Sequence, residues 1–310
     1  MPPSAQHVER VLHIHKPVVE RPTAQVPALP HRATRQWRVP PAIVVCLATA
    51  TMLIAAALLA PWLAPFDPTT QQLLARLRPP LPLERSLPMY ALGTDELGRD
   101  LLSRCLYGMR VTMGIAAFSM LIGLCLGATI GLVSGFVGGR LDQGIMMLAD
   151  IQMALPFLLV ALFAVAVFGT SMPVLIAVVG IVSWASYARL VRGQVLAVKA
   201  LPFIEASRAL GASAWRIAVI HILPNVTAPI IVLLTLNFSN IVLLESALSF
   251  LGLGVQPPIA SLGAMIGQGR DYLATAWWII AAPAALIVVM ALVVSLLGDW
   301  LRDVLDARLR

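Results

Sequence analysis

Few side chains in this sequence are of a type that does chemistry, and most of those lie in or beside long apolar runs. Asp142 and Asp150 bracket the start of one run, in GGRLDQGIMMLADIQMALP, and Glu245 sits deep in another, in NIVLLESALSFLG. Asp142 and Asp150 share one side of a helix at their spacing. A charge at the centre of a membrane-spanning helix costs about 2.5–3.5 kcal/mol on insertion scales, so Glu245 must face a cavity or a partner. Glu245 and Asp150 are therefore candidates for the wall of a solute path. The other reading of Glu245 is a buried hydrogen bond between helices. The sequence has no G-x-x-x-x-G-K-[ST] phosphate loop. It also has no His-Glu-x-x-His and no serine nucleophile elbow. The chain is thus expected to be no enzyme, and any ATP hydrolysis that drives it must belong to another chain. His13 and His15 form an H-x-H pair near His7 and His31. Metal binding competes there with ordinary solvated side chains, and no metal site is assigned. Cys46, Cys105 and Cys125 are scattered without metal-type spacing and read as small packing residues.

The elements that hold these groups are membrane helices. Hydrophobic residues make up 59% of the 310 and charged residues 12%, against about 25% charged in soluble domains. The net charge of +7 therefore reads as an orientation bias within lipid rather than a nucleic-acid surface. Residues 1–41 lack apolar periodicity and read as a disordered tail. A first span covers 42–62, read as an uncleaved anchor. A polar, proline-studded loop covers 63–107. Within it, Gly93, Asp95, Gly98, Arg99 and Asp100 form a turn held by Asp–Arg pairs, and Leu101, Leu102 and Leu106 suggest a short amphipathic surface helix. A domain of five further spans follows at 108–299, in apolar runs at about 111–137, 145–168, 172–196, 227–251 and 276–298, and a short tail closes the chain at 300–310. Gly123, Gly127, Gly131 and Gly135, at four-residue spacing, mark a face for close helix packing. With the N-terminal tail placed in the cytoplasm, the inside segments carry 15 of the 22 Lys and Arg, the expected polarity.

Between two long apolar runs lies 203–225, FIEASRALGASAWRIAVIHILPN, which this topology also places in the cytoplasm. It reads as two short helices. Phe203–Leu210 is helix-compatible, Gly211 breaks it, Ser213 caps a second helix over Ala214–Leu223, and Pro224 stops that helix. Trp215, Ala218, Val219 and Ile222 fall at helical spacing and predict one apolar face. The stretch is a rigid elbow suited to the grip of a soluble partner.

The order Glu205-Ala206, Gly211, Ile222-Leu223-Pro224 resembles the Glu-Ala-Ala signature of membrane subunits of binding-protein-dependent ABC importers. Ser207 replaces the second alanine of that pattern, and His221 stands at its first isoleucine. The runs GTDELGRDLLSR, SFLGLGVQPP and the C-terminal GDWLRDVLDARLR are similar to the dipeptide, oligopeptide and nickel permease group, with Ala307 where that group usually has proline. The resemblance covers the chain from about residue 93 onward. It implies an all-α fold of six transmembrane helices, the type I ABC importer permease, in a bacterial inner membrane with both termini cytoplasmic. It implies that Glu205, Ala206, Gly211, Ile222, Leu223 and Pro224 form a coupling helix seated in a cleft of an ATPase. The partners it implies are a homologous permease subunit, two ATP-binding subunits that carry ATP and magnesium, an extracytoplasmic solute-binding protein and membrane lipid, with no cofactor on this chain. Peptides are the implied solute, with nickel or another small solute as the alternative. The rival class, a stand-alone secondary transporter or channel, would show inverted repeats and broken mid-membrane helices.

Overall fold

The computed structural model describes residues 40–309, and the tail with its H-x-H pair lies outside the described residues. The chain is helical: α1 (Pro41–Leu58), α2 (Ala60–Leu63), α3 (Leu101–Val137), α4 (Gly139–Ala154), α5 (Phe157–Phe168), α6 (Met172–Lys199), α7 (Pro202–Ala209), α8 (Ala214–Arg216), α9 (Leu223–Phe250), α10 (Leu262–Gly269) and α11 (Trp278–Leu309). Among the described residues, five stretches are long and apolar enough to cross a bilayer: α1, α3, α6, α8 to α9 as one, and α11. The sixth expected span, 145–168, is not one straight helix. It is the pair α4 and α5, bent by 89°. The bend falls at Leu155 and Pro156, both extended (ψ 132° and 119°). The Pro156 ring excludes the helical conformation at Leu155 and supplies no N–H to continue the ladder.

Three other boundaries differ from expectation. The short surface helix at Leu101–Leu106 is the opening of α3, which starts where the Asp100 carboxylate accepts from the Ser103 N–H at 2.8 Å. Gly108 does not interrupt it, because there the helix passes close to α10: a Cβ would stand 3.3 Å from Leu262 Cδ2 and Met265 Sδ. The first span ends at Leu58, and a break at Leu59 leads into α2. The expected tail from residue 300 is the continuation of α11, which runs to Leu309.

The glycine stripe is the seam between α3 and α6. A Cβ on Gly127 would lie 2.5 Å from Tyr187 Cβ and closer still to the Trp184 carbonyl oxygen; on Gly135 it would lie 2.9 Å from Val195 Cβ. Gly180 repays the approach from α6, where a Cβ would meet Ile122 Cβ at 2.9 Å. Without a hydrophobic drive between helices in lipid, such backbone proximity supplies the packing. Gly127→Ala is therefore expected to destabilise the chain by about 1–3 kcal/mol, since the obstructing atoms are backbone. Thermal unfolding of the purified variant checks this, with Gly114→Ala, where a Cβ meets nothing, as the silent control.

The two ends of the bundle are distinct. Segment 64–100 and the 251–277 connection gather at the Leu101 end of α3: the Phe66 N–H donates to Ser103 Oγ at 3.1 Å, and Trp278 Nε1 donates to the Thr94 carbonyl at 3.2 Å. At the other end Lys199 Nζ donates to the Phe136 carbonyl at 2.6 Å, and the chain turns directly into α7. The elbow and the long first loop thus sit at opposite ends of α3, as the charge asymmetry required.

Candidate coupling elbow and membrane carboxylates

The elbow is built by one backbone conformation and one cap. Gly211 has φ +81°, and its N–H donates to the Arg208 carbonyl at 2.9 Å while the Ala212 N–H reaches back to Ser207 at 3.0 Å. This left-handed closure after a helix is the position glycine fills without strain. Ser213 Oγ then accepts from the Arg216 N–H at 3.3 Å and starts α8. The two arms are braced edge to face, with Phe203 and His221 ring centroids 6.3 Å apart.

Pro224 does not stop the second helix. Residues Ile217–Ile222 wind as a π-helix, in which the Leu223 N–H bonds the Ala218 carbonyl, and α9 continues from Leu223 through Pro224. Pro224 has no N–H for the Ile220 carbonyl, and its ring clashes with that group in ordinary α winding. The wider turn relieves the clash, and Asn225 Nδ2 satisfies the His221 carbonyl at 2.6 Å. Single π turns of this kind recur at functional sites.

The expected apolar face is only partly inward. Ile222 and Ala218 are buried and Val219 is half-buried, but Trp215 is 77% exposed. Trp215 lies at the tip, before the π turn and beyond the core made by Val191, Val195, Val198, Ile204, Ile217 and Ile222. Leu210 beside it is 89% exposed, and Glu205, Ala206, Gly211 and Pro224 are exposed too, while Leu223 is half-buried. A tip with Leu210 and Trp215 bare, on a base locked to α6 and α9, has the form of a surface completed by another chain.

The membrane carboxylates separate into three situations. Asp142, buried, accepts from Arg192 Nε and Nη2 at 2.5 and 2.7 Å and from the Ser134 hydroxyl, tying α4 to α6 and α3. Asp150 pairs with Arg189 Nη2 at 2.5 Å, but these side chains are 68% and 48% exposed. Arg189 lies ten residues before Lys199, about 15 Å along the helix axis. It continues an exposed stripe with Ser186 and Gly193. Glu245 has no exposure: Ser249 Oγ donates to it at 2.7 Å and Ser246 Oγ lies at 3.4 Å, with the hydroxyls of Thr112 and Ser261 also in reach. It stands in the seam between α9 and α10, where a Cβ on Gly263 would lie 2.5 Å from Ser246 Cα. The structure therefore places Asp150 at an open surface and Glu245 in closed packing.

At the opposite end from the elbow lies an ion-pair network whose reach the sequence did not disclose. Asp95 Oδ1 accepts from the backbone N–H groups of Leu97 and Arg99, both at 2.9 Å, and Asp95 Oδ2 accepts from Arg99 Nε at 2.6 Å. Arg104, from the first turns of α3, also binds Asp95, and its Nη2 donates to Gln268 of α10 at 3.0 Å. The turn expected at 93–100 is thus bolted to two helices. Sequence reasoning did not single out Arg104, Arg189 or Arg192. The signal was present, since every arginine in a mostly apolar helix needs a partner or water.

Among the described residues no three His, Cys, Asp or Glu converge as a metal site would require. An all-helical chain with several apolar spans, two of them leading into and out of a bared helical elbow, is the architecture of a transporter's membrane subunit. A solved structure of the MetNI methionine ABC transporter, inward facing, has the same fold at TM-score 0.53 and 20% identity, covering 67% of this chain and 95% of that one. The family model for the inner membrane component of binding-protein-dependent transport systems matches residues 127–310, and that for the N-terminal transmembrane domain of oligopeptide transport permease C matches residues 31–80. The chain belongs to this family of binding-protein-dependent permeases and is the permease subunit of an ABC importer. It is 43% identical over 259 residues to the di/tripeptide transport system permease protein DppC of Pseudomonas aeruginosa, covering 84% of this chain and 86% of that protein. It is 40% identical over 253 residues to the dipeptide transport system permease protein DppC of Haemophilus influenzae, covering 82% and 86%. The glutathione transport system permease protein GsiD of Pectobacterium atrosepticum is 38% identical over 259 residues, covering 84% of each. The match at 31–80 extends the likeness to the first span, which the sequence motifs had left uncovered.

Proposed function

We propose that this permease imports di- or oligopeptides, working with a homologous permease subunit, two ATP-binding subunits and an extracytoplasmic binding protein. The reading rests on the bared elbow, and on relatives named for di/tripeptide, dipeptide and glutathione transport. In this reading Glu205, Ala206, Gly211, Ile222, Leu223 and Pro224 form the coupling element. Closure of the ATPase pair around ATP and magnesium moves the clefts that hold the Leu210–Trp215 tips. Because the base is packed on α6 and α9, that movement is carried into the membrane helices as a rigid body, and the path opens outward. Asp150 with Arg189 lines that path: the pair is exposed and stands about 15 Å along α6 from Lys199, and an exposed ion pair gains nothing from contact with lipid tails. Glu245 stands behind the path and holds α10 to α9. The elbow and both termini face the cytoplasm, and this chain carries no cofactor of its own.

The test is uptake of a radiolabelled dipeptide into proteoliposomes holding the full complex and binding protein. Uptake is expected only with ATP and all three kinds of partner present. Movement of peptide by this chain alone, or a panel in which metal complexes and not peptides are carried, would overturn the reading.

A further inference from the structure

A cavity of about 590 Å³ opens between α1, α3, α9 and α11. Its wall is almost wholly aliphatic, with Leu53, Ala57, Met113, Ala117 and Met290 among its residues. A hydrated solute gains nothing from such a wall. Thr235, the other polar residue there besides Arg110, spends its hydroxyl on the Val232 carbonyl at 2.8 Å. Arg110 is the one charged lining residue; it is exposed, and among the described residues no hydrogen bond or ion pair holds it.

The position of Arg110 along the groove has chemical meaning. It lines the groove together with Leu58, the last residue of α1, beyond which Trp62 is 82% exposed. Exposed tryptophan at a span's end marks headgroup depth, and Trp277, before α11, is exposed at the same end of the bundle. From Arg110 the groove runs inward along α3 to Met120, ten residues or about 15 Å. That is the depth of one leaflet of a hydrocarbon core about 30 Å thick. Gly114 forms part of the floor, and a Cβ built on it meets nothing within 4 Å, so the space there is unfilled.

We propose that this groove is a binding site for one anionic phospholipid of the leaflet opposite the elbow, with an acyl chain along α3 and the phosphate on Arg110. The charge of Arg110 favours an anionic headgroup, and the aliphatic wall and its length fit one chain. The bound lipid fills the space between α1 and the helices behind it, so that α1 moves with the bundle.

The experiment is native mass spectrometry of the full transporter complex, titrated with phosphatidylglycerol or phosphatidylcholine. The wild type is expected to retain one phosphatidylglycerol in preference to phosphatidylcholine. Arg110→Gln should reduce that preference about fivefold, the worth of one basic side chain at a charged surface, and Arg110→Lys should restore most of it. Gly114→Phe, whose Cβ meets nothing within 4 Å and whose ring extends into the groove, should abolish retention of both lipids. Arg110 is exposed and no hydrogen bond or ion pair among the described residues depends on it, so that variant remains informative if Gly114→Phe fails to assemble. Equal lipid retention by wild type and Gly114→Phe would overturn the proposal. So would a cysteine at 114 that crosslinks to the second permease subunit, since protein would then occupy the groove.

Discussion

Gly211→Val is expected to cut ATP-driven uptake about tenfold or more while leaving membrane insertion and helix content unchanged. The reason is conformational and not steric. A Cβ at 211 has open space around it, yet the residue stands at φ +81°. A side-chain-bearing residue in the left-handed region costs about 1–2 kcal/mol, and a β-branched one is a genuine outlier there. Escape from that strain reorients α7 against α8, so the geometry in which Leu210 and Trp215 stand at one tip loses about tenfold in population for each 1.4 kcal/mol. Gly211→Asn, which tolerates this region, should retain most of the transport. Uptake assays alongside ATPase rates of the assembled complex separate the outcomes. Continued ATP hydrolysis without uptake is the expected signature, and normal uptake by Gly211→Val would count against any coupling role for the elbow.

Asp95→Ala is expected to be the most destabilising single change, at about 3–5 kcal/mol. Asp95 is fully buried and receives Arg99, Arg104 and two backbone N–H groups. Removing it leaves two guanidinium groups buried beside each other with only Glu96 and Gln268 as partners, and an uncompensated buried charge costs more than the intact pair contributes. Because Arg104 reaches Gln268, the loss should be felt in α10 as well as in the turn. Hydrogen exchange is the direct readout, with faster exchange expected at 93–100 and at 262–269 together. Exchange confined to 93–100 would show that Arg104 does not carry the connection.

These two positions also show how differently the features could be read from residue order. Gly211 was legible because a helix break needs only a local conformation, and glycine between a helix-forming octet and a serine cap is a local pattern. Asp95 was legible as a turn with Asp–Arg pairing, but the tie through Arg104 to Gln268 spans a separation that no periodicity reports. Pro224 and Pro156 make the same point with one residue type. Each was set in an apolar run. At Pro156 the chain bends by 89°, whereas at Pro224 the helix continues by winding one π turn. From the sequence alone Pro224 reads as a stop and one span runs through Pro156, although either proline interrupts the α ladder. Whether the chain then bends or winds on depends on the support of neighbouring helices, such as α6 gives around Ile217 and Ile222.

By itself the sequence determined that the chain lies in a membrane, which apolar runs are helical, that one face of α3 packs closely, and that a broken helical elbow separates two spans at the more positive side. Those are consequences of composition, period and caps, each settled within a few turns of chain. Only the tertiary structure decided that Glu245 is sealed against α10, that Asp150 is left open with Arg189, that Trp215 is bare, and that α1 stands off from a groove. A membrane helix is apolar on nearly every side, so its residues do not announce which face meets a neighbour, a path or lipid. That choice is made when helices pack, and it decides what each charged side chain is left to face.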